Sequence, residues 1–117
     1  MTITHAELVN ALAKPGSDIN RELSDIDCHL LHMVVGIAGE AGELLDAIKK
    51  KVIYRKSLDL DNVIEELGDL EFYMEGLRAC LHIDREITIE ANIEKLSKRY
   101  ESLSYSDDAA QDRADKQ

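Results

Sequence analysis

Apolar residues recur at steps of three and four through most of the chain, and that spacing predicts helices. Leu30, Val34, Ile37, Ala41, Leu44, Ile48 and Val52 form one stripe and place a long helix over residues 27–52. Val63, Leu67, Leu70, Met74, Leu77 and Leu81 form the next, over residues 60–82, with Asp59 or Asp61 as its N-cap. Ile89, Ile93, Leu96, Tyr100 and Leu103 mark a further helix over residues 85–103. A short helix is expected over residues 4–13, ended by Lys14-Pro15-Gly16-Ser17. Ser17 or Asp18 can cap the next helix, but nothing marks where the long second helix starts. No segment alternates with a strand period; Ile87-Thr88-Ile89 is β-branched, yet the helical spacing runs through it. Four helices with short connections predict an all-α antiparallel helical bundle. Residues 1–103 form one domain, while the polar segment 104–117 has no apolar face and is expected to fray.

Polar positions follow the same geometry, each residue advancing about 100° around its helix. His29, His32, Gly36, Glu40 and Glu43 share one face of the second helix, beside its apolar stripe. Asn62, Glu66, Asp69, Tyr73 and Gly76 share the corresponding face of the third. If the two stripes pack together, Glu40 and Glu43 meet Glu66 and Asp69 across the pair. Two carboxylates about 5 Å apart repel by about 3 kcal/mol at an effective dielectric of 20, so four need protons or a cation. The third helix carries no basic residue before Arg78 to supply one, and Glu71 and Glu75 project away as solvent contacts. Oxygen ligands without cysteine favour a hard cation, Mg²⁺ first and Mn²⁺ second. A di-iron bundle needs Glu-x-x-His on two helices, and no histidine here follows an acid by three. No EF-hand loop is present either. The competing reading is an exposed acidic face that only keeps the protein soluble. Gly36, Gly39 and Gly42 each weaken the helix and are expected to serve close approach of a neighbouring helix or a ligand, against the plain reading of a tolerated irregularity.

Composition narrows the partners. The 117 residues carry a formal charge of −10, which repels a nucleic-acid backbone but leaves phosphate ligands open through a bridging cation. No apolar run is long enough for a membrane helix, and no secretory signal is visible. Cys28 and Cys80 fit no metal or redox spacing and are read as reduced thiols of a cytoplasmic protein.

The residues Gly39-Glu40-Ala41-Gly42-Glu43-Leu44-Leu45-Asp46-Ala47-Ile48, then Glu65-Glu66-Leu67-Gly68-Asp69-Leu70, resemble the MazG-like all-α nucleotide pyrophosphohydrolases. That family's pattern is Glu-x-x-Glu, a variable spacer (here 22 residues between Glu43 and Glu66) and Glu-x-x-Asp. Residues 92–100 are similar to its C-terminal helix, so the resemblance spans roughly residues 27–100. It implies Glu40, Glu43, Glu66 and Asp69 as metal ligands and cleavage of a nucleoside triphosphate between the α- and β-phosphates. It also implies a homodimer or homotetramer with sites near subunit interfaces, and a role in nucleotide house-cleaning. Glu43, or else Glu40, is the candidate base for an attacking water, though base and ligand are not separable by sequence. Thr88, Asn92, Lys95 and Arg99 share one face of the last helix. Lys95 and Arg99 are candidates to grip the triphosphate, with Asn92 as a hydrogen-bonding partner; the plain alternative is a solvated basic face. Lys50 is a further phosphate candidate, although it also suits the negative end of its helix. His29, His32 and Tyr73 are candidates for the base pocket, against the commoner reading of packed or exposed side chains. Two other readings stay open: hydrolysis of phosphoribosyl-ATP, and a non-catalytic helical module that binds a nucleotide or a partner.

Overall fold

The computed structural model describes residues 2–116 and is helical throughout, with no strand among them. The helices are α1 (His5–Leu12), α2 (Gly16–Glu22), α3 (Asp25–Val52), α4 (Leu60–Leu81), α5 (Arg85–Arg99) and α6 (Asp107–Asp112). A 3₁₀ turn, Ala114–Lys116, comes last. Local chemistry sets most boundaries. The Thr4 hydroxyl accepts the Glu7 N–H at 3.1 Å to open α1. Pro15 and Gly16 separate α1 from α2, so the unmarked stretch before the long helix is a helix of its own. Ser24 and Asp27 form a capping box, each side chain taking the other's backbone N–H at 3.1 Å, and this fixes the start of α3. The Asp59 carboxylate accepts the Asn62 N–H at 3.1 Å to begin α4. His82 ends α4 in the left-handed conformation at φ 56°, and the Ile83 N–H reaches back to the Arg78 carbonyl.

The principal tertiary interface is between α3 and α4. The pair is antiparallel: Met33 meets Gly76, Gly36 meets Tyr73, and Glu40 meets Glu66 and Asp69. Its seam is formed by Leu30, Met33, Ile37, Glu40, Leu44 and Ala47 against Val63, Glu66, Leu70, Tyr73, Leu77 and Cys80, all buried or half-buried. Steps of three and four on both sides are the signature of coiled-coil packing. The seam is rotated from the stripe read off the sequence. Met33 and Ala47 are buried, while Val34 and Ile48 of the expected stripe stay 48 and 39 % exposed. Leu67 is likewise exposed on α4.

A closed four-helix bundle does not form within one chain. The radius of gyration is 20.1 Å, against about 13 Å for a compact chain of this size. Among described residues only Met33, Ala47 and Arg78 are fully buried. The α5 helix stops at Arg99, four residues short of the expected end, and carries α6 and the 3₁₀ turn against its side. The segment expected to fray is therefore helical in part. Its anchors are polar, the Ser106 hydroxyl capping α6 and Arg99 pairing with Asp115, and so leave no mark in an apolar pattern.

Close approach in the α3–α4 pair depends on two glycines. A Cβ added to Gly36 would collide with the Tyr73 ring, and one added to Gly76 with the Met33 sulfur. Gly39 and Gly42 face open space, so close approach of a neighbouring helix accounts only for Gly36 among the three α3 glycines. Gly36→Ala is expected to destabilise the protein by about 1–3 kcal/mol, because a rigid ring in the seam must move. Gly76→Ala should cost less than Gly36→Ala, since Met33 has freely rotating torsions that let its side chain yield. Urea unfolding of both variants at one protein concentration checks the order; equal midpoints would contradict it.

Candidate metal centre

Two adjacent turns of α3 and two of α4 supply the acids. One carboxylate oxygen each from Glu40, Glu66 and Asp69 lies within 4.8 Å of the others. Glu40 and Glu66 occupy seam positions and are half-buried. Glu43 stands one turn along α3 on the polar flank, exposed and outside that 4.8 Å group. It is still near enough for its charge to act on Glu66.

Electrostatics mark the same point. A hydrogen bond to Glu40, partial burial, and the charges of Glu40, Asp69 and Glu43 push the Glu66 carboxyl up to about 7. No cation figures among these influences. The Glu66 Oε2 atom is buried without a hydrogen-bond partner. A buried carboxylate oxygen without a partner is unfavourable unless something else satisfies it. An all-oxygen donor set, a surplus of negative charge and an orphaned oxygen fit a divalent cation of the Mg²⁺ or Mn²⁺ kind.

The other candidate residues divide into three places. Tyr73 lies on the same flank as the acids, against Gly36, with its ring edge-on to His32 at 6.1 Å and to Phe72 at 5.1 Å. His32 and His29 are exposed; both belong to that polar face of α3, His29 one turn farther from the acids. Lys50 is paired with Asp46 at 3.1 Å on the surface of α3. On α5 the polar face is drawn toward the chain's own C-terminal segment. Asn92 borders a groove of about 350 Å³ with Ile93, Leu96, Tyr100 and Tyr105. Thr88 borders a separate hollow with Ile37, Met74 and Leu77. Arg99 donates from Nε to Asp115 at 2.9 Å, and Lys95 is close enough for its charge to act on Asp115. Glu71 and Glu75, read as solvent contacts, flank the buried Arg78 guanidinium at 3.9 and 3.1 Å.

A helical pair holding a Glu-x-x-Glu and a Glu-x-x-Asp across its seam defines an all-α domain built around an acidic, cation-ready centre. The chain belongs to the MazG nucleotide pyrophosphohydrolase family: the model of the MazG nucleotide pyrophosphohydrolase domain matches residues 28–104 of its 117. Membership implies nucleotide pyrophosphohydrolase activity in general terms. Comparison with curated proteins and with solved structures finds no match. The match takes in both acid pairs and all of α5, and it stops before α6.

The Glu66 shift has a measurable consequence. Folded, metal-free protein keeps that proton to about pH 7, whereas the unfolded chain releases it near 4.5. The folded state thus binds more protons in that window, so stability falls as pH rises from about 4.5 through about 7. Melting of metal-free protein should show Tm declining across this range. Glu66→Gln should flatten the decline, and saturating Mg²⁺ should offset it by binding only the folded state. A level profile for metal-free wild type would refute the shift.

Proposed function

We propose that the protein is a Mg²⁺-dependent nucleoside triphosphate pyrophosphohydrolase that releases a nucleoside monophosphate and pyrophosphate. The observation that carries this reading is the buried, unpartnered Glu66 oxygen within the group of Glu40, Glu66 and Asp69, inside the matched family domain. Glu40, Glu66 and Asp69 would hold the cation. Bound there, a divalent ion supplies positive charge against the phosphate oxygens and against the charge that builds on the leaving group. Glu43 lies beside the group rather than in it and accepts the proton of the attacking water. The water oxygen bonds to the α-phosphorus, the bond from that phosphorus to the bridging oxygen breaks, and pyrophosphate leaves with the bond electrons. His32 and Tyr73, one to two turns along the same flank, border the nucleoside. Base and sugar preference are set there, and house-cleaning of nucleotide pools in the cytoplasm is the role this supports.

The same reading includes a homodimer or homotetramer. On helical geometry Val34, Ala41, Leu45 and Ile48 of α3, with Ile64 and Leu67 of α4, lie on the flank opposite the acids. Leu45, Ile64, Val34 and Leu67 are each about half exposed or more. A second α3–α4 pair laid on this flank turns two helices into the bundle one chain lacks. It also offers a route for Lys95 and Arg99 of α5 to reach a carboxylate centre across the interface.

Activity, metal binding and assembly can each be measured. A panel of canonical and modified nucleotides, with phosphoribosyl-ATP included, should yield pyrophosphate from a nucleoside triphosphate only when Mg²⁺ or Mn²⁺ is present. Release of orthophosphate, or turnover that persists in EDTA, would sink the assignment. Glu43→Gln should cut kcat by about 10²–10⁴ while leaving Mg²⁺ affinity near wild type; Glu66→Gln should lose Mg²⁺ affinity itself. If Glu43→Gln abolishes metal binding instead, Glu43 is a ligand and not the base. Sedimentation equilibrium should find a dimer or tetramer, and Leu67→Asp should yield a largely unfolded monomer; a folded wild-type monomer at micromolar concentration excludes the assembly.

A further inference from the structure

The segment beyond residue 104 lies outside the family match, yet it folds back onto α5 and takes up Arg99 of the cationic pair assigned to the triphosphate grip, while Lys95 stays exposed. We propose that residues 105–115 form a built-in strap in which the Asp115 carboxylate occupies Arg99 in place of a substrate phosphate. The proposal rests on that reading of Arg99 and Lys95, and it adds a regulatory contact that the reading does not contain.

The contact is specific. Arg99 and Asp115 are 16 residues apart in sequence, joined at 2.9 Å, and their side chains are only 16 and 6 % exposed. Burial pushes the Asp115 carboxyl up, but the Arg99 hydrogen bond and charge, helped by Lys95, outweigh it and hold the group below its ordinary value. Asp115 in turn holds Arg99 above its ordinary value. One carboxylate is thus placed in the field of both cations assigned to the polyphosphate. The near end of the strap is held separately. Tyr105 lies against Tyr100 with ring centres 5.8 Å apart, and its hydroxyl donates to Asp107 at 2.5 Å. Tyr105 also lines the groove that Asn92 borders.

The strap is also built to release. Its helix, α6, has six residues, far below the dozen or so that hold a helix without tertiary support. Arg113, which ends it, is left-handed at φ 51° without being glycine, a conformation that costs an L residue energy. A triphosphate offers the guanidinium several anionic oxygens where Asp115 offers one carboxylate. Strap and polyphosphate therefore compete, and a closed state holding nine-tenths of the molecules weakens apparent substrate affinity about tenfold.

Full-length Asp115→Asn is compared with wild type and with Asp108→Asn, which removes the same charge from an exposed site on the strap. The expected result is a KM about tenfold lower for Asp115→Asn alone, with kcat unchanged and sodium tripolyphosphate bound correspondingly tighter. Tripolyphosphate added to wild type should also speed tryptic cleavage after Arg113, read by mass spectrometry. Unchanged or raised KM in Asp115→Asn, or an equal drop in Asp108→Asn, overturns the strap. The two readings fail separately. Nucleotide turnover with a cleavage rate that ignores tripolyphosphate removes the strap and leaves the enzyme. Strap release by tripolyphosphate with no nucleotide turned over removes the enzyme and leaves the strap.

Discussion

Two carboxylates, Glu40 and Glu66, stand in the α3–α4 seam at positions that a coiled coil fills with apolar side chains. The rest of the arrangement depends on that placement. Acids in a seam repel, and here the neighbouring Glu40 and partial burial push the Glu66 carboxyl up to about 7, which favours its protonated form. The relief is partial, because one Glu66 oxygen remains buried and unpartnered. Apolar layers on either side hold the acids in place: Ile37 and Leu44 on α3, Val63 and Leu70 on α4, all half-buried. Gly36 lets Tyr73 close the next layer. A site made this way is positioned by helix packing rather than by loops, so the distance between its carboxylates is set before any ligand arrives.

The seam also divides the helix pair into unlike flanks. One carries Glu43, Asp69, His32 and Tyr73. The other carries Val34, Leu45, Ile48, Ile64 and Leu67, exposed in the single chain. With two fully buried apolar residues in the described chain, Met33 and Ala47, the hydrophobic contribution of one copy is small. In the proposed assembly, stability and site geometry would be coupled. Covering the apolar flank would brace α3 and α4 from behind while leaving the acidic flank open to solvent and substrate.

Much of this was legible in the sequence. The long helices, Asp59 as one of two caps offered for α4, and the convergence of Glu40, Glu66 and Asp69 could be read from residue type and spacing, whereas the Ser24–Asp27 capping box was not. Spacing misplaced the seam by a fraction of a turn. Both α3 and α4 have apolar arcs wider than one interface, and the widest run, Val34 to Val52, belongs mostly to the uncovered flank. The sequence therefore read as a bundle, since it counts every apolar stripe as buried without saying by which chain. Gly36 carried a signal that could be read; Gly39 and Gly42 carried the same signal and face open space. The Arg99–Asp115 pair had none, because an ion pair across 16 residues has no periodicity and Asp115 reads like any other tail acid.

The charge of the chain gives these parts a common logic. At −10 the protein repels free polyphosphate at long range. On the proposed reading, Glu40, Glu66 and Asp69 would take phosphate through a bound cation, which reverses the sign of their charge. On α5, Lys95 and Arg99 make a short basic strip against that background, and Asp115 is already in its field. On that reading a substrate would meet two conditions: a cation that answers the acids, and anionic oxygens that replace a carboxylate on the arginine. A triphosphate bound to Mg²⁺ would satisfy both.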